Sequence, residues 1–187
     1  IDLVCFYLDD AAQKVIKNKG APGIDGITYE QLPNLLRVHG EKIRQKLKNG
    51  TYIPAPVRRV DIPKPNGGTR MLGIPTLLDR TIQQAIVMTI GDSFEDQFSD
   101  KSYGFREGRN CQQAVQRAQK YIEDGNRWVV EMDLSKFFDR VNHDILMDRV
   151  SRVIDDKAIL KLIRRYLNAG IMEDGLVSPR LEGVPQG

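Results

Sequence analysis

The chain has 187 residues, 41% of them hydrophobic and 28% charged, with a formal net charge of +3. These are the proportions of a soluble globular protein, long enough for one sizeable core or for one domain with part of another. No apolar run approaches the ~20 residues that a helix needs to cross a bilayer, and Ile1-Asp2-Leu3-Val4 lacks the basic start and small-residue cleavage site of a secretory signal.

The lack of an initiator Met leads us to expect that the chain begins inside a longer protein. Cys5 and Cys111 have no partner Cys or His at metal-ligand spacing. That argues against a zinc site and for two reduced thiols in a cytoplasmic protein. His39 and His143 are too few for a His-based metal centre, and His143 follows Asn142, a capping residue at a helix start, where a structural role is expected.

In chain order, Leu3, Phe6, Tyr7, Ala11, Val15 and Ile16 stand close to helical spacing, and Gly20 stops the pattern. Ala21-Pro22-Gly23-Ile24-Asp25-Gly26 is a turn-rich loop. Thr28 with Gln31 has the form of a capping box and predicts a helix toward His39, with Gly40 as its stop. Pro33 falls in or near the first turn, where proline is tolerated. A second helix is expected over residues 41–49, closed by Gly50.

Val57-Arg58-Arg59-Val60-Asp61-Ile62 and Thr69-Arg70-Met71-Leu72-Gly73-Ile74 read as strands. Residues 63–68 between them contain Asn66-Gly67 and predict a hairpin. Residues 76–98 are helical, with a break near Gly91. Asn110 with Gln113 predicts another capping box and a helix to about Asp124. Arg127 to Asp133 reads as a short buried strand, with Trp128, Val130 and Met132 on one face and Val129, Glu131 and Asp133 on the other. Helices follow over 143–154 and 156–169, ended by Gly170, and residues 171–187 read as a small hairpin. Helices mixed with non-sequential strands argue for an α+β fold.

Charge is unevenly spread. From Arg37 to Arg70 there are nine Lys/Arg against Glu41 and Asp61, a local net of +7, while the flanks sum to −4. Such a stripe points to a polyanion at one surface. For Lys42, Arg44, Lys46 and Lys48 a solvated helix face is the favoured reading. Arg58, Arg59, Lys64 and Arg70 fall on the hairpin and are harder to explain that way.

Asp133 is the most informative residue. A carboxylate at the exit of a strand is where a rigid sheet can fix a metal ligand, although a lone Asp there is more often a turn or cap. Its context decides. Asn18 to Thr28, Ile62 to Pro75, Asp79 to Ala85, Ser102 to Asn110 with Gln113-Ala114, Asp133 to Asp139 and Gly183 to Gly187 form six blocks in order. Together they resemble the reverse transcriptases encoded by group II introns, over nearly the whole chain.

The resemblance implies a right-hand polymerase fold: fingers over about 1–126, with the basic hairpin at about 57–74, and part of the palm over 127–187. It implies that Asp133 and the Leu134 carbonyl bind Mg²⁺ in a two-metal site, and that Lys64 and Arg70 clamp the triphosphate of a deoxynucleoside triphosphate. Phe138 would sit under the sugar and exclude a 2′-hydroxyl, the alternative being a core aromatic, which is the reading for Phe137. Gln186 would touch the nucleotide and template. Arg58 and Arg59 would bind RNA, and Tyr103, Arg106 and Arg109 would line the template path, with loop-to-helix packing equally open for those three.

The implied partners are an RNA template, intron RNA and a DNA primer or target. The implied location is the bacterial cytoplasm, with no membrane. A homodimer is compatible with the sequence but not required by it. The family carries two further carboxylates in a Tyr-Ala-Asp-Asp-type hairpin after Gln186-Gly187, so the 187 residues alone are expected to be catalytically incomplete. Other readings are a non-catalytic RNA-binding maturase, a retron-type or diversity-generating reverse transcriptase, and more distantly an RNA-templated RNA polymerase.

Overall fold

The computed structural model describes residues 1–63, 65 and 67–185. Lys64 and Gln186, two of the expected nucleotide contacts, lie outside these residues. Among the described residues the helices are α1 (Asp2–Phe6), α2 (Leu8–Lys17), α3 (Leu32–Lys48), α4 (Leu77–Ile90), α5 (Asp92–Glu95), α6 (Cys111–Glu123), α7 (His143–Ser151) and α8 (Lys157–Asn168). The strands are β1 (Val57–Pro63), β2 (Thr69–Ile74), β3 (Ile171–Glu173) and β4 (Leu176–Ser178). No helix among these residues is long and apolar enough to cross a membrane.

The chain forms two compact units: residues 1–91 with 136–187, and residues 92–135. In the first, a mixed sheet runs in the order β2-β1-β3-β4. β1 and β2 are antiparallel, from Arg58 opposite Ile74 to Pro63 opposite Thr69. β3 lies parallel to β1, and β4 returns antiparallel to β3. The hairpin expected over 57–74 is therefore present, and the one expected over 171–187 is confined to 171–178, with residues 179–185 outside any strand. The fully buried side chains Val4, Leu8, Ala11, Leu32, Leu77 and Ile82 define the helical core. Within it Ala12 and Val15 of α2 meet Leu32 of α3 and Leu77 of α4, with Ile16, Tyr29 and Leu36 against them. Each such Val, Leu or Ile side chain taken from water contributes ~1.5–3 kcal/mol.

Two of the expected helices are one. α3 runs through Gly40 without stopping. Leu32, Leu36, Gly40, Ile43 and Leu47 follow helical spacing on the inner face, and burial of that stripe outweighs the ~1 kcal/mol that a mid-helix glycine costs. The Thr28–Gln31 pair does form a bond, from the Thr28 amide to Gln31 Oε1 at 2.9 Å, but in a turn just before the helix. Conversely, the first expected helix is two, divided at Tyr7. Helix α4 ends at Ile90, with Gly91 separating it from α5, as the sequence predicts.

The strand expected over residues 127–133 is absent. Arg127 to Leu134 has no regular structure, and Trp128, Val129, Val130 and Met132 are all at least 80% exposed. Its alternation is that of a strand, but a strand also needs a ladder partner, and among the described residues the four strands of the sheet pair with one another and not with this segment.

Candidate nucleotide and nucleic-acid site

In the larger unit, three separated segments meet. The first begins at Lys136, which takes a left-handed backbone (φ 53°), and a single 3₁₀ turn follows over Phe138–Arg140. The Phe138 carbonyl accepts from the Val184 amide at 2.7 Å, and the Val141 carbonyl accepts from the Gly183 amide at 2.8 Å. Gly183 is required there: its φ is 78°, and a Cβ would stand 2.7 Å from the Asp139 carbonyl oxygen. The buried His143, at the start of α7, holds the Gly183 carbonyl through Nε2 at 2.7 Å. Its role is structural, as the sequence suggested.

The third segment is β2. A Cβ on Gly73 would lie 3.0 Å from Pro185 Cβ, so the residues leading to Gln186 pass directly over the hairpin strand that carries Arg70. Phe138 is 43% exposed and meets Phe137 edge-to-face, centroids 5.6 Å apart. A pocket of about 480 Å³ opens beside this junction, lined in part by Val57, Gly73, Arg80, Gln83 and Pro185.

The base of the hairpin is clamped. Arg59 pairs with Glu173 at 2.8 Å and with Asp61 at 3.1 Å, so much of its charge is answered within the sheet. Arg58 Nε is buried without a hydrogen-bond partner. Arg80 donates to the Pro75 carbonyl at 3.0 and 3.1 Å and to the Ala21 carbonyl, tying loop 20–26 to the start of α4. Burial first, and then the like charge of Arg58, lower the pKa of the Arg80 guanidinium.

Sequence reasoning missed the centre of this support. Asp79 is 1% exposed and accepts from Tyr52 Oη at 2.7 Å, Thr76 Oγ1 at 2.7 Å, Tyr166 Oη at 3.1 Å and the Ala55 amide at 3.1 Å. Burial raises its pKa and the four donors pull it back. Only its place in the Asp79-Arg80 block hinted at a role.

The smaller unit carries the remaining expected residues. Arg106 is used internally: it binds Glu95 at 2.6 Å and the carbonyls of Ser99 and Ser102 at 2.6 and 3.0 Å, and lies over Phe98. Arg109 stacks on Tyr103, 5.5 Å from its centroid, and donates to the Asp100 carbonyl at 3.0 Å. The expected capping box is complete, with Asn110 and Gln113 exchanging bonds at 2.9 and 3.0 Å at the start of α6.

Asp133 and Leu134 are exposed. Their carboxylate and carbonyl are oxygen donors, the kind Mg²⁺ takes, and so fit that ion as a partial set. Among the described residues no group of three or more His, Cys, Asp or Glu is gathered to hold a metal.

Comparison with known proteins gives this arrangement its class. Residues 62–187 match the family described as "Reverse transcriptase (RNA-dependent DNA polymerase)". The chain belongs to the reverse transcriptase family. It is 41% identical to protein YkfC of Escherichia coli over 97% of its length, and 37% identical to the group II intron-encoded protein LtrA of Lactococcus lactis over 95%. It spans 49% of the first relative and 29% of the second. Among solved structures, a chain of a partial Cas6-RT-Cas1–Cas2 complex superposes on all of it with a TM-score of 0.62 at 23% identity, and covers the fold alone; this chain spans 31% of that one. The α+β fold is thus the fingers-and-palm fold expected from the sequence.

Proposed function

We propose that the protein is an RNA-directed DNA polymerase of a group II intron, which also grips intron RNA to assist splicing and supports intron mobility. The observation that carries this reading is the junction of β2, Phe138 and Val184-Pro185. It gathers, from three distant parts of the sequence, the strand that carries Arg70, the half-exposed Phe138 and the residues that precede Gln186.

In this reading the fingers take about 1–126 and the palm begins at 127. The hairpin's Lys64 and Arg70 receive the triphosphate of a deoxynucleotide, Lys as a point charge and Arg through two parallel bonds. Phe138 closes the sugar side against a 2′-hydroxyl. Asp133 and the Leu134 carbonyl would hold Mg²⁺, which when bound neutralises phosphate charge and activates the primer 3′-oxygen. Arg58 and Arg59 hold RNA at the hairpin base, and Tyr103 with Arg109 offers a stacked, cationic surface to the template. Arg106 shapes the loop that presents them. Such contacts to phosphate position a strand without reading its sequence. The cytoplasm of a bacterium suits the two free thiols, Cys5 and Cys111.

The test is Mg²⁺-dependent primer extension by the full-length protein on an RNA template, with Asp133→Ala beside it. Extension by the parent and loss of at least ~10³-fold in the variant is the expected result, since a metal ligand supplies several kcal/mol of transition-state stabilisation. No extension by the parent, with RNA binding intact, would replace the polymerase with a non-catalytic splicing factor.

A further inference from the structure

The basic side chains of α3 fall into two rows with different fates. Arg44 pairs with Asp9 at 2.6 Å and donates through Nε to the Cys5 carbonyl, and Lys48 pairs with Asp2 at 3.2 Å. These charges are already answered by α1 and α2. His39, Lys42 and Lys46 form a second row, spaced three and four residues apart and so on one face of the helix. Among the described residues their side chains have neither an ion-pair nor a hydrogen-bond partner, and all three are exposed.

This second row rims a groove of about 280 Å³, with Leu35, Ile43, Tyr52 and Leu78 also lining it. An enclosed small-molecule site is commonly ~300–1,000 Å³. A shallower groove with cations along one edge and an apolar lining suits a strand lying across it. Single-stranded nucleic acid has the matching chemistry, since its phosphates seek cations while its unstacked bases seek flat apolar surface.

We propose that this face of α3 is a docking site for single-stranded RNA, with phosphates on Lys42 and Lys46 and an unstacked base against Leu35 and Leu78. It is a contact apart from the nucleotide site. The proposal rests on the reading of the chain as a nucleic-acid enzyme. An acidic peptide is the competing occupant. RNA is favoured because, with Arg44, Lys48 and Arg59 already paired, basic residues still recur in sequence from α3 (Lys42, Lys46) into the hairpin (Arg58, Lys64), as a long polyanion requires.

The test is fluorescence anisotropy of labelled oligo(U) on the full chain at several salt concentrations. The double variant Lys42→Gln, Lys46→Gln is compared with Lys157→Gln, Lys161→Gln, which removes the same charge from α8. The groove variant is expected to flatten the slope of log K against log salt by about 1.4, because each phosphate contact on a single strand contributes ~0.7; the α8 variant keeps the wild-type slope. Leu35→Ser is expected to weaken binding severalfold at unchanged slope, because it removes apolar surface from under the base without removing a charge.

If the groove variant keeps its slope while Arg58→Gln with Arg59→Gln loses it, RNA is held at the hairpin only and the groove assignment falls, leaving the polymerase reading intact. If the wild-type chain shows no salt-dependent RNA binding, the nucleic-acid reading itself falls. Polyglutamate binding that the groove variant loses, with the RNA slope unchanged, would assign the face to an acidic protein segment instead.

Discussion

Asp79 is a carboxylate held by donors from residues 24, 27 and 87 positions away in the chain. Replacing it with Ala takes the carboxylate from the Ala55 amide and from the hydroxyls of Tyr52, Thr76 and Tyr166. At ~1–3 kcal/mol for a buried donor left without a partner, Asp79→Ala is expected to lower stability by about 3 kcal/mol in urea unfolding. Its pH dependence has a definite sign. Below the ordinary Asp pKa of ~3.9, both the folded and the unfolded chain hold the proton. As pH rises past it the unfolded chain ionises first, because burial raises the folded pKa. The unfolded state then binds fewer protons, and Asp79 loses stability for the fold up to its raised pKa. The stability of the wild type relative to Asp79→Asn should therefore fall over this window and level off above it. A relative stability that rises with pH would mean that the four donors outweigh burial. None of this was legible in the sequence, where an Asp in the first turn of a helix reads as a favourable end charge. What buries it is Tyr52 and Tyr166, and no local pattern announces that pairing.

Elements whose signals are local were legible, and those that depend on distant neighbours were not. The Asn110–Gln113 box, the 57–74 hairpin and the break at Gly91 are short-range chemistry, and the chain forms each of them. Gly40 misled because a stop signal competed with a buried stripe. Loop 20–26 shows the opposite case, a glycine needed for approach rather than for a turn. A Cβ on Gly23 would stand 2.6 Å from the Thr76 backbone nitrogen and Cα, atoms that cannot swing aside. Thr76 caps α4 by accepting from the Asp79 amide, and also donates to the Asp79 carboxylate. Gly23→Ala should push the loop off this cap and cost about 1–3 kcal/mol, the range for overpacking. Melting followed by circular dichroism, with hydrogen exchange at the Asp79 amide, would report both effects. An unchanged melting temperature would mean that the loop can shift without disturbing α4.

The same contrast holds for the molecule as a whole. The segments that meet at β2, Phe138 and Val184-Pro185 were legible as a set of blocks, because each block has a local turn or strand of its own. The Asp133 segment was legible only as chemistry: the carboxylate is exposed, but the strand that would fix it has no ladder partner among the described residues. Burial is divided just as unevenly. All the buried hydrophobic residues lie within 1–91 and 136–187, and no residue from 92 to 135 is buried. Local stability follows buried apolar contact, since a segment opens at little cost when few side chains must be exposed. Helix α6 has its capping box, an exposed Val115 and Ile122, and no buried residue. Helix α4 buries Leu77, Ile82, Ala85 and Ile86. In native-state hydrogen exchange of the 187-residue chain, α6 amides should therefore open with free energies well below those of α4, which approach the global value. Limited proteolysis should cut first within 127–135, where exposed backbone has no regular structure. Equal protection of the two helices would show that residues 92–135 draw stability from packing that their exposure does not reveal. The division into a firm junction and a weakly held Asp133 segment would then have to be abandoned.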